Sequence, residues 1–184
     1  MLDMIDKKYE LINGKEVMMS PADTRHNRIK GNIALIICNY LKGKRGEAFF
    51  GTMVCFDELN HFIPDLLVVC DPNKIKYSCI DGAPDLVVEI LSYSTGKRDY
   101  GIKKDVYEKF GVKEYWIVNP KDKSVLVYHL VNGKYELDDR YVVLEDWEEE
   151  AMNEEEKAEH RLKLKVSLYD DLEIEVKEIF EDMI

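Results

Sequence analysis

The stretch Pro84-Asp85-Leu86-Val87-Val88-Glu89-Ile90-Leu91 decides the fold of this 184-residue chain. A near-continuous apolar run of this length is typical of a central strand that is buried on both faces by helices. Glu89 interrupts the run at a position where an ordinary core would place valine. An ionised carboxylate is costly to bury unless a cation or several hydrogen-bond donors meet it. We therefore expect Glu89 to line a cleft.

Glu89 needs a partner if it is to bind a metal ion. Asp85 lies on the same face of the strand, but four residues of strand span roughly 13 Å. Metal–oxygen distances are about 2.1 Å, so these two carboxylates are too far apart to bind one ion together. An aspartate on a neighbouring strand is the better partner, and Asp65, which also follows a proline, is available. The plainer interpretation of both aspartates is that they begin a strand after a proline, and for Asp85 we favour that interpretation.

A helix is predicted directly after this strand, from Ser94 to Phe110, with Gly111 ending it. On a helical wheel at about 100° per residue, Lys103 and Asp99 fall inside the arc of apolar side chains. The plain interpretations are that Lys103 extends its amine to the edge of this face, or that it pairs with Asp99 four residues earlier. Because an inward glutamate lies next door, we favour a functional role for Lys103.

Two carboxylates and a lysine suit the hydrolysis of a phosphodiester bond. Carboxylate and water oxygens are the ligands that Mg²⁺ and Mn²⁺ prefer. Such an ion generates a hydroxide and stabilises the departing oxygen, while an ammonium offsets the charge that develops on the phosphate. We predict that Asp65 and Glu89 bind Mg²⁺ or Mn²⁺ and that Lys103 acts on the phosphate.

The remaining elements surround this strand and helix. A helix is predicted from about Pro21 to Leu41, with His26 on its apolar face. A structural role for His26, as a hydrogen-bonded core residue, is at least as well supported as a functional role. Asn13-Gly14 and Asn132-Gly133 each indicate a hairpin. Strands are predicted at 47–56, 62–70, 114–118 and 162–166, and an apolar face at 172–180. Tyr115 and Trp116 are expected in the core. This order predicts an α/β fold with a mixed sheet flanked by helices and with additional hairpins.

The composition is that of a globular protein, with 46% hydrophobic and 34% charged residues. The length suits one domain over residues 1–184. We expect no membrane association, because no apolar stretch reaches the roughly 20 residues that cross a bilayer. The N-terminus lacks the apolar run of a secretory signal, which indicates a cytoplasmic protein. Four cysteines without metal-ligand spacing are expected to be buried, reduced thiols.

The net charge of −11 is concentrated near the C-terminus. Residues 1–144 carry 21 acidic and 21 basic side chains, whereas residues 145–159 carry nine acids and one lysine. The acidic stretch at about 145–160 is interpreted as a solvated insertion. A neutral body can still hold a local basic groove, so we expect weak binding to DNA.

Several segments together resemble one known family. They are YELINGKEVMMSPADTRHNRI (9–29), IPDLLVVCDP (63–72), GAPDLVVEILSYST (82–95), RDYGIKKDVYEKFGVKEYWIVNP (98–120) and DLEIEVKEIF (171–180). They are similar to the Uma-two family of restriction endonucleases, within the PD-(D/E)XK nuclease superfamily. The resemblance implies a restriction-endonuclease-like mixed sheet with a metal site at a splayed pair of strands. By position, Asp65 and Glu89 match the acids of the family, Lys103 its helix lysine and His26 a histidine.

The chain departs from the superfamily pattern at two places. A lysine usually stands two residues after the glutamate, and here that position is Leu91. The resemblance implies that the lysine has moved to the following helix, in agreement with the helical wheel. Some relatives carry an acid on the first helix, and no counterpart exists between Thr24 and Leu41, which disfavours a second metal ion.

Three functions follow as hypotheses. The leading one is a Mg²⁺- or Mn²⁺-dependent DNA endonuclease that uses Asp65, Glu89 and Lys103, with a homodimer favoured if both strands of a duplex are cut. The second is a catalytically inactive nuclease fold that serves as a binding or protein-interaction module. The third is an acidic protein that masks a basic partner through residues 145–159.

Overall fold

The structure, a computed structural model, describes residues 8–92 and 96–182. Its central sheet has six strands. In spatial order these are β11 (Lys134–Val142), β10 (Ser124–Val131), β9 (Glu114–Asn119), β8 (Leu86–Ile90), β6 (Leu66–Val69) and β3 (Glu47–Phe50). Strands β8 and β9 run parallel and the other neighbours run antiparallel, so the predicted mixed sheet is confirmed.

A second sheet of five strands packs beside the first. Its spatial order is β2 (Lys15–Met18), β1 (Tyr9–Ile12), β5 (Asn60–Phe62), β4 (Val54–Asp57) and β7 (Ile80–Asp81). The predicted hairpin at Asn13-Gly14 is present, with positive φ angles of 50° and 75° at its two turn residues. A short antiparallel pair, β12 (Lys163–Lys165) with β13 (Glu173–Glu175), completes the strands.

The prediction of single strands at 47–56 and 62–70 is wrong. Each stretch divides into two strands that belong to different sheets, β3 with β4 and β5 with β6. Gly51, with φ of 57°, turns the chain between the first pair. Pro64, which has no N–H to donate to a ladder, separates the second pair. The residue after this proline, Asp65, therefore lies where the chain passes from one sheet to the other.

The described part of the chain also forms helices. They are α1 (Thr24–Leu41), α2 (Gly96–Arg98), a π-helical segment (Asp99–Lys103), α3 (Lys104–Phe110), α4 (Asp146–Ala151), α5 (Glu154–Glu159) and α6 (Val176–Ile179), and Pro72–Lys74 forms one 3₁₀ turn. The predicted α-helix up to Phe110 thus contains a π-helical turn, and its predicted start at Ser94 and Thr95 lies outside the described residues. Gly111 ends it in the left-handed conformation, with φ of 88°.

Hydrophobic cores lie on both faces of the central sheet. One core packs α1 and the C-terminal elements against Leu86, Val88 and Ile90, the members of β8 that point to that side. The other packs α3 and the second sheet against Val87, which shares its face with Glu89. Tyr115 and Trp116 are fully buried, as predicted.

Two further predictions are tested by the structure. The four cysteines are free thiols as expected, but they are not buried, since Cys38 is exposed and Cys55, Cys70 and Cys79 are half-buried. In the part of the chain that the structure describes, no helix combines the length and the apolar character needed to span a bilayer.

Candidate active site

Asp65 and Glu89 are cross-strand neighbours. Strand β6 pairs antiparallel with β8, and its first residue, Leu66, lies opposite Val88, so Asp65 just before β6 lies near Glu89 of β8. The Ile90 N–H donates to Asp65 Oδ2 at 2.9 Å, which holds the aspartate against the end of β8. The two carboxylates that the sequence singled out therefore lie side by side.

The ammonium of Lys103 meets Glu89 in the protein interior. Its Nζ lies 2.9 Å from Glu89 Oε1 and 3.7 Å from Asp99 Oδ1, and its side chain is 3% exposed. The structure therefore brings Lys103 to both partners considered from the sequence, the neighbouring glutamate and the aspartate four residues earlier. The π-helical turn begins at Asp99 and ends at Lys103, so it contains both residues of this i, i+4 pair.

Glu10 is the functional candidate that the sequence analysis missed. Its Oε1 lies 2.9 Å from Lys103 Nζ and accepts a hydrogen bond from the Ile63 N–H at 2.9 Å. Glu10 is 2% exposed although it belongs to a short edge hairpin. A signal was present, because strand alternation places Glu10 on the same face as the buried Ile12.

Acidic groups outnumber basic ones around Lys103, because one ammonium contacts three carboxyl groups. Burial, opposed by Lys103 but reinforced by Asp99 and Asp65, raises the pKa of Glu89 to about 8. Burial alone would lower the pKa of Lys103, but attraction to Glu89, Glu10 and Asp99 raises it above 10.5. Tyr107 donates its hydroxyl to Glu89 Oε1 at 2.6 Å, and burial raises the pKa of this tyrosine well above 10.0. The cluster thus favours a further positive charge or proton near Glu89.

Asp65 contacts a histidine and a lysine. His26 Nε2 lies 3.0 Å from Asp65 Oδ2, and Lys30 Nζ lies 3.6 Å from Oδ1. Burial opposes ionisation of Asp65, but the hydrogen bonds from His26 and the Ile90 N–H lower its pKa. The ionised form is therefore the stable one at neutral pH.

His26 lies in the first turn of α1, nearer the start of the helix than the sequence analysis placed it. Its backbone N–H donates to the capping residue Asp23 at 2.8 Å. Within residues 8–92 and 96–182, its buried Nδ1 atom has no hydrogen-bond partner. The histidine thus contacts Asp65 through one ring nitrogen, while the other has no partner among the described residues.

Asp85 lies outside this cluster. It accepts hydrogen bonds from Lys113 Nζ and from the Cys70 N–H, each at 2.7 Å. Burial opposes ionisation, but these two donors lower the pKa of Asp85. Its contacts join the start of β8 to the start of β9 and to the end of β6, which agrees with the structural role favoured from the sequence.

One cavity of about 490 Å³ brings the candidate residues together. Glu10, His26, Asp65, Glu89 and Lys103 all line it. Asp99 and Asp85 do not line it, so of the six residues selected from the sequence the cavity gathers four. The missed Glu10 is the fifth.

The donor set can be tested against the metal that the fold implies. Asp65 and Glu89 offer carboxylate oxygens from adjacent strands to one cavity, and carboxylates are what Mg²⁺ and Mn²⁺ prefer. No group of three His, Cys, Asp or Glu side chains among the described residues is arranged to hold an ion. Mg²⁺ commonly takes one or two carboxylates and completes its shell with water and substrate phosphate, so a pair of carboxylates fits it.

Comparison with known proteins places the chain in a family. Residues 1–160 match the family Uma2, described as "Putative restriction endonuclease". The uncharacterized protein slr1290 of Synechocystis sp. (strain ATCC 27184 / PCC 6803 / Kazusa) is 29% identical over 128 residues, which are 67% of this chain and 66% of that protein. The chain thus matches just under two thirds of the length of this relative.

A solved structure resembles the fold. It is described as a "putative nuclease belonging to DUF820" from Anabaena variabilis ATCC 29413, with a TM-score of 0.65, 20% identity, and coverage of 94% of this chain and 89% of that one. This likeness confirms the predicted fold class, a restriction-endonuclease-like mixed sheet flanked by helices. Since the family match extends over most of its sequence, the chain belongs to the Uma2 family.

Proposed function

We propose that this protein is a Mg²⁺- or Mn²⁺-dependent DNA endonuclease with Asp65 and Glu89 as its metal ligands. The observation that carries the proposal is that both carboxylates line one cavity, with Asp65 bound by the N–H of Ile90, the residue after Glu89. The family description and the nuclease title of the similar structure support the same chemistry. When bound, the ion would supply a hydroxide and stabilise the departing oxygen of the phosphodiester.

The side chains around the carboxylates have separate roles in this proposal. Lys103, which lines the cavity, holds Glu89 in place through its 2.9 Å contact and offsets negative charge on the phosphate. Glu10 fixes the ammonium of Lys103 from the other side. His26 orients Asp65 through its Nε2 contact. Asp99 balances Lys103 from within the helix and does not touch the substrate.

The proposal is tested by Glu89→Gln, which removes the charge and keeps the shape. DNA cleavage stimulated by Mg²⁺ or Mn²⁺ should fall by roughly a hundredfold or more, because a metal ligand is lost while the fold remains. Asp85→Asn is the matched control, since this carboxylate is also buried but lies outside the cavity, and it should keep its activity. Cleavage that survives Glu89→Gln would exclude the assignment.

A binding module without turnover is the second candidate. Two observations favour it: Glu89 Oε1 already lies 2.9 Å from the ammonium of Lys103, and no three-residue metal group is present in the described ranges. This candidate predicts DNA binding without cleavage and no uptake of Mn²⁺ at millimolar concentration.

A further inference from the structure

The cavity beside the two carboxylates has an apolar wall that the proposed hydrolysis does not use. The end of β2 and the loop that leads to α1 form this wall, with Met18, Met19, Pro21 and Ala22 lining the cavity. Met18 is 56% exposed, and the four residues are not members of the hydrophobic cores. Uncovered apolar side chains around a concave site are typical of a binding surface, and methionine adapts well to flat apolar ligands.

The size of the cavity suits one nucleoside. Its volume of about 490 Å³ lies within the range of roughly 300–1,000 Å³ that is usual for sites of small molecules. A base inside a duplex has both faces covered by its neighbours, so it can enter such a site only after it is flipped out of the stack. A base in a single strand offers its faces without that cost.

Cationic side chains line the cavity and would contact the phosphates of such a strand. Lys8, Lys30 and Arg98 line the same cavity. The Met19 N–H donates to the Lys8 carbonyl at 3.0 Å, which sets a lysine next to the apolar wall. The buried Nε of Arg98 has no hydrogen-bond partner among the residues that the structure describes. An apolar face with cations at its edge is the combination that binds single-stranded nucleic acid.

We infer that this cavity binds an unstacked base of single-stranded DNA, so that the substrate of the enzyme is a single strand, a flap or a frayed end. The inference rests on the proposed function, because the carboxylates beside the pocket are what would cut the strand. Binding itself needs no turnover. The two claims can therefore be tested separately.

The test is fluorescence anisotropy with a labelled single-stranded oligodeoxynucleotide of roughly 20 nucleotides and its duplex, without divalent metal. The wild-type protein should bind the single strand about tenfold more tightly than the duplex. Met18→Glu places a charge in the apolar wall and should weaken single-strand binding about tenfold, and the uncharged Met18→Gln should weaken it less. Leu35→Glu is the matched control, because Leu35 is 64% exposed on α1 and does not line the cavity. It should change binding by less than about twofold.

Cleavage of the same two substrates with Mn²⁺ separates the possible failures. Equal affinity for both substrates, or equal effects of Met18→Glu and Leu35→Glu, would overturn the inference, whether or not DNA is cut. A preference for the single strand that depends on Met18, without cleavage of either substrate, would support the pocket and overturn the proposed nuclease. Preferential binding and cleavage of the single strand would support both.

Discussion

Single residues decide the chemistry of the site, and Lys103 is the residue on which the buried acids depend. Its ammonium lies within 3.7 Å of carboxylate oxygens from Glu10, Glu89 and Asp99. A buried charge that loses its partner costs far more than the pair contributes, because the remaining charge has no solvent to meet it. Loss of Lys103 should therefore destabilise the protein by more than the ion pairs themselves contribute.

Lys103→Met should lower the free energy of unfolding by about 3–5 kcal/mol, because it leaves three buried acids without their shared cation. Urea unfolding at neutral pH measures this. Lys97→Met, at an exposed position of α2, should change it by less than about 0.5 kcal/mol. Similar values for the two variants would show that the cluster does not need its ammonium.

Asp85 supplies a prediction about pH. The pKa of Asp85 is lower in the folded protein than in the unfolded chain. Its ionised form therefore stabilises the fold at pH values above the unfolded pKa of about 3.9. That stabilisation is lost as the pH falls through the folded pKa. Asp85→Asn should thus cost about 1 kcal/mol at pH 7, and the difference from wild type should shrink below about pH 4. A constant difference measured across this range would contradict the role.

Sequence periodicity could predict some site residues and not others. Glu89 and Lys103 each break a local apolar pattern, so their inward direction follows from a few neighbouring residues. The contact of Glu10 with Lys103 joins positions far apart in the chain, and it depends on how the second sheet packs on the first. The contact of His26 with Asp65 depends in the same way on the placement of α1.

At the scale of elements, the break of each long apolar stretch into two strands creates the site. Because the chain changes sheets at Pro64, Asp65 is left at the start of β6, opposite the end of β8. Apolar residues lie on both sides of each break, so each apolar stretch indicated one strand. Gly51 and Pro64 indicate where the chain passes from one sheet to the other. Whether a glycine or a proline bends a strand or ends it depends on which other strands pair with the residues on each side.

Gly111 ends the helix that carries Lys103 and leads into β9. Gly111→Ala should destabilise the protein by about 1 kcal/mol, because a side chain disfavours φ near 88° although space is open around it. Gly31→Ala, at an exposed and uncrowded position inside α1, should instead stabilise it by up to about 1 kcal/mol. Thermal unfolding of both variants checks the signs, and a stabilising Gly111→Ala would contradict this account of the helix end.

At the scale of the whole molecule, the acidic insertion begins at the edge of the sheet that carries the site. The register pairs Ile90 with Val118, and Ser124 with both Asn119 and Val142, so β8 and β11 end at the same edge. The acidic helices α4 and α5 follow directly. The position of this charge along the chain can be read from the sequence, but its start at the sheet edge where β8 ends follows only from the strand order.

Neutralising part of the insertion should strengthen DNA binding. With Glu154, Glu155 and Glu156 changed to Gln, the affinity for single-stranded DNA should rise by about twofold to tenfold at low salt, because negative charge that repels the phosphates is removed. The gain should vanish near about 1 M salt, where the screening length is only about 3 Å. Anisotropy titrations at several salt concentrations measure it. Unchanged affinity at low salt would show that the insertion does not act on the site.

The central claim is that Asp65 and Glu89 together bind one divalent metal ion, and calorimetric titration with Mn²⁺ tests it most directly. We predict that the wild-type protein takes up Mn²⁺ at millimolar concentration or below, that Asp65→Asn and Glu89→Gln each abolish this binding, and that Asp85→Asn retains it. A wild-type protein that takes up no Mn²⁺ at these concentrations, or binding that survives both substitutions in the cavity, would contradict the claim.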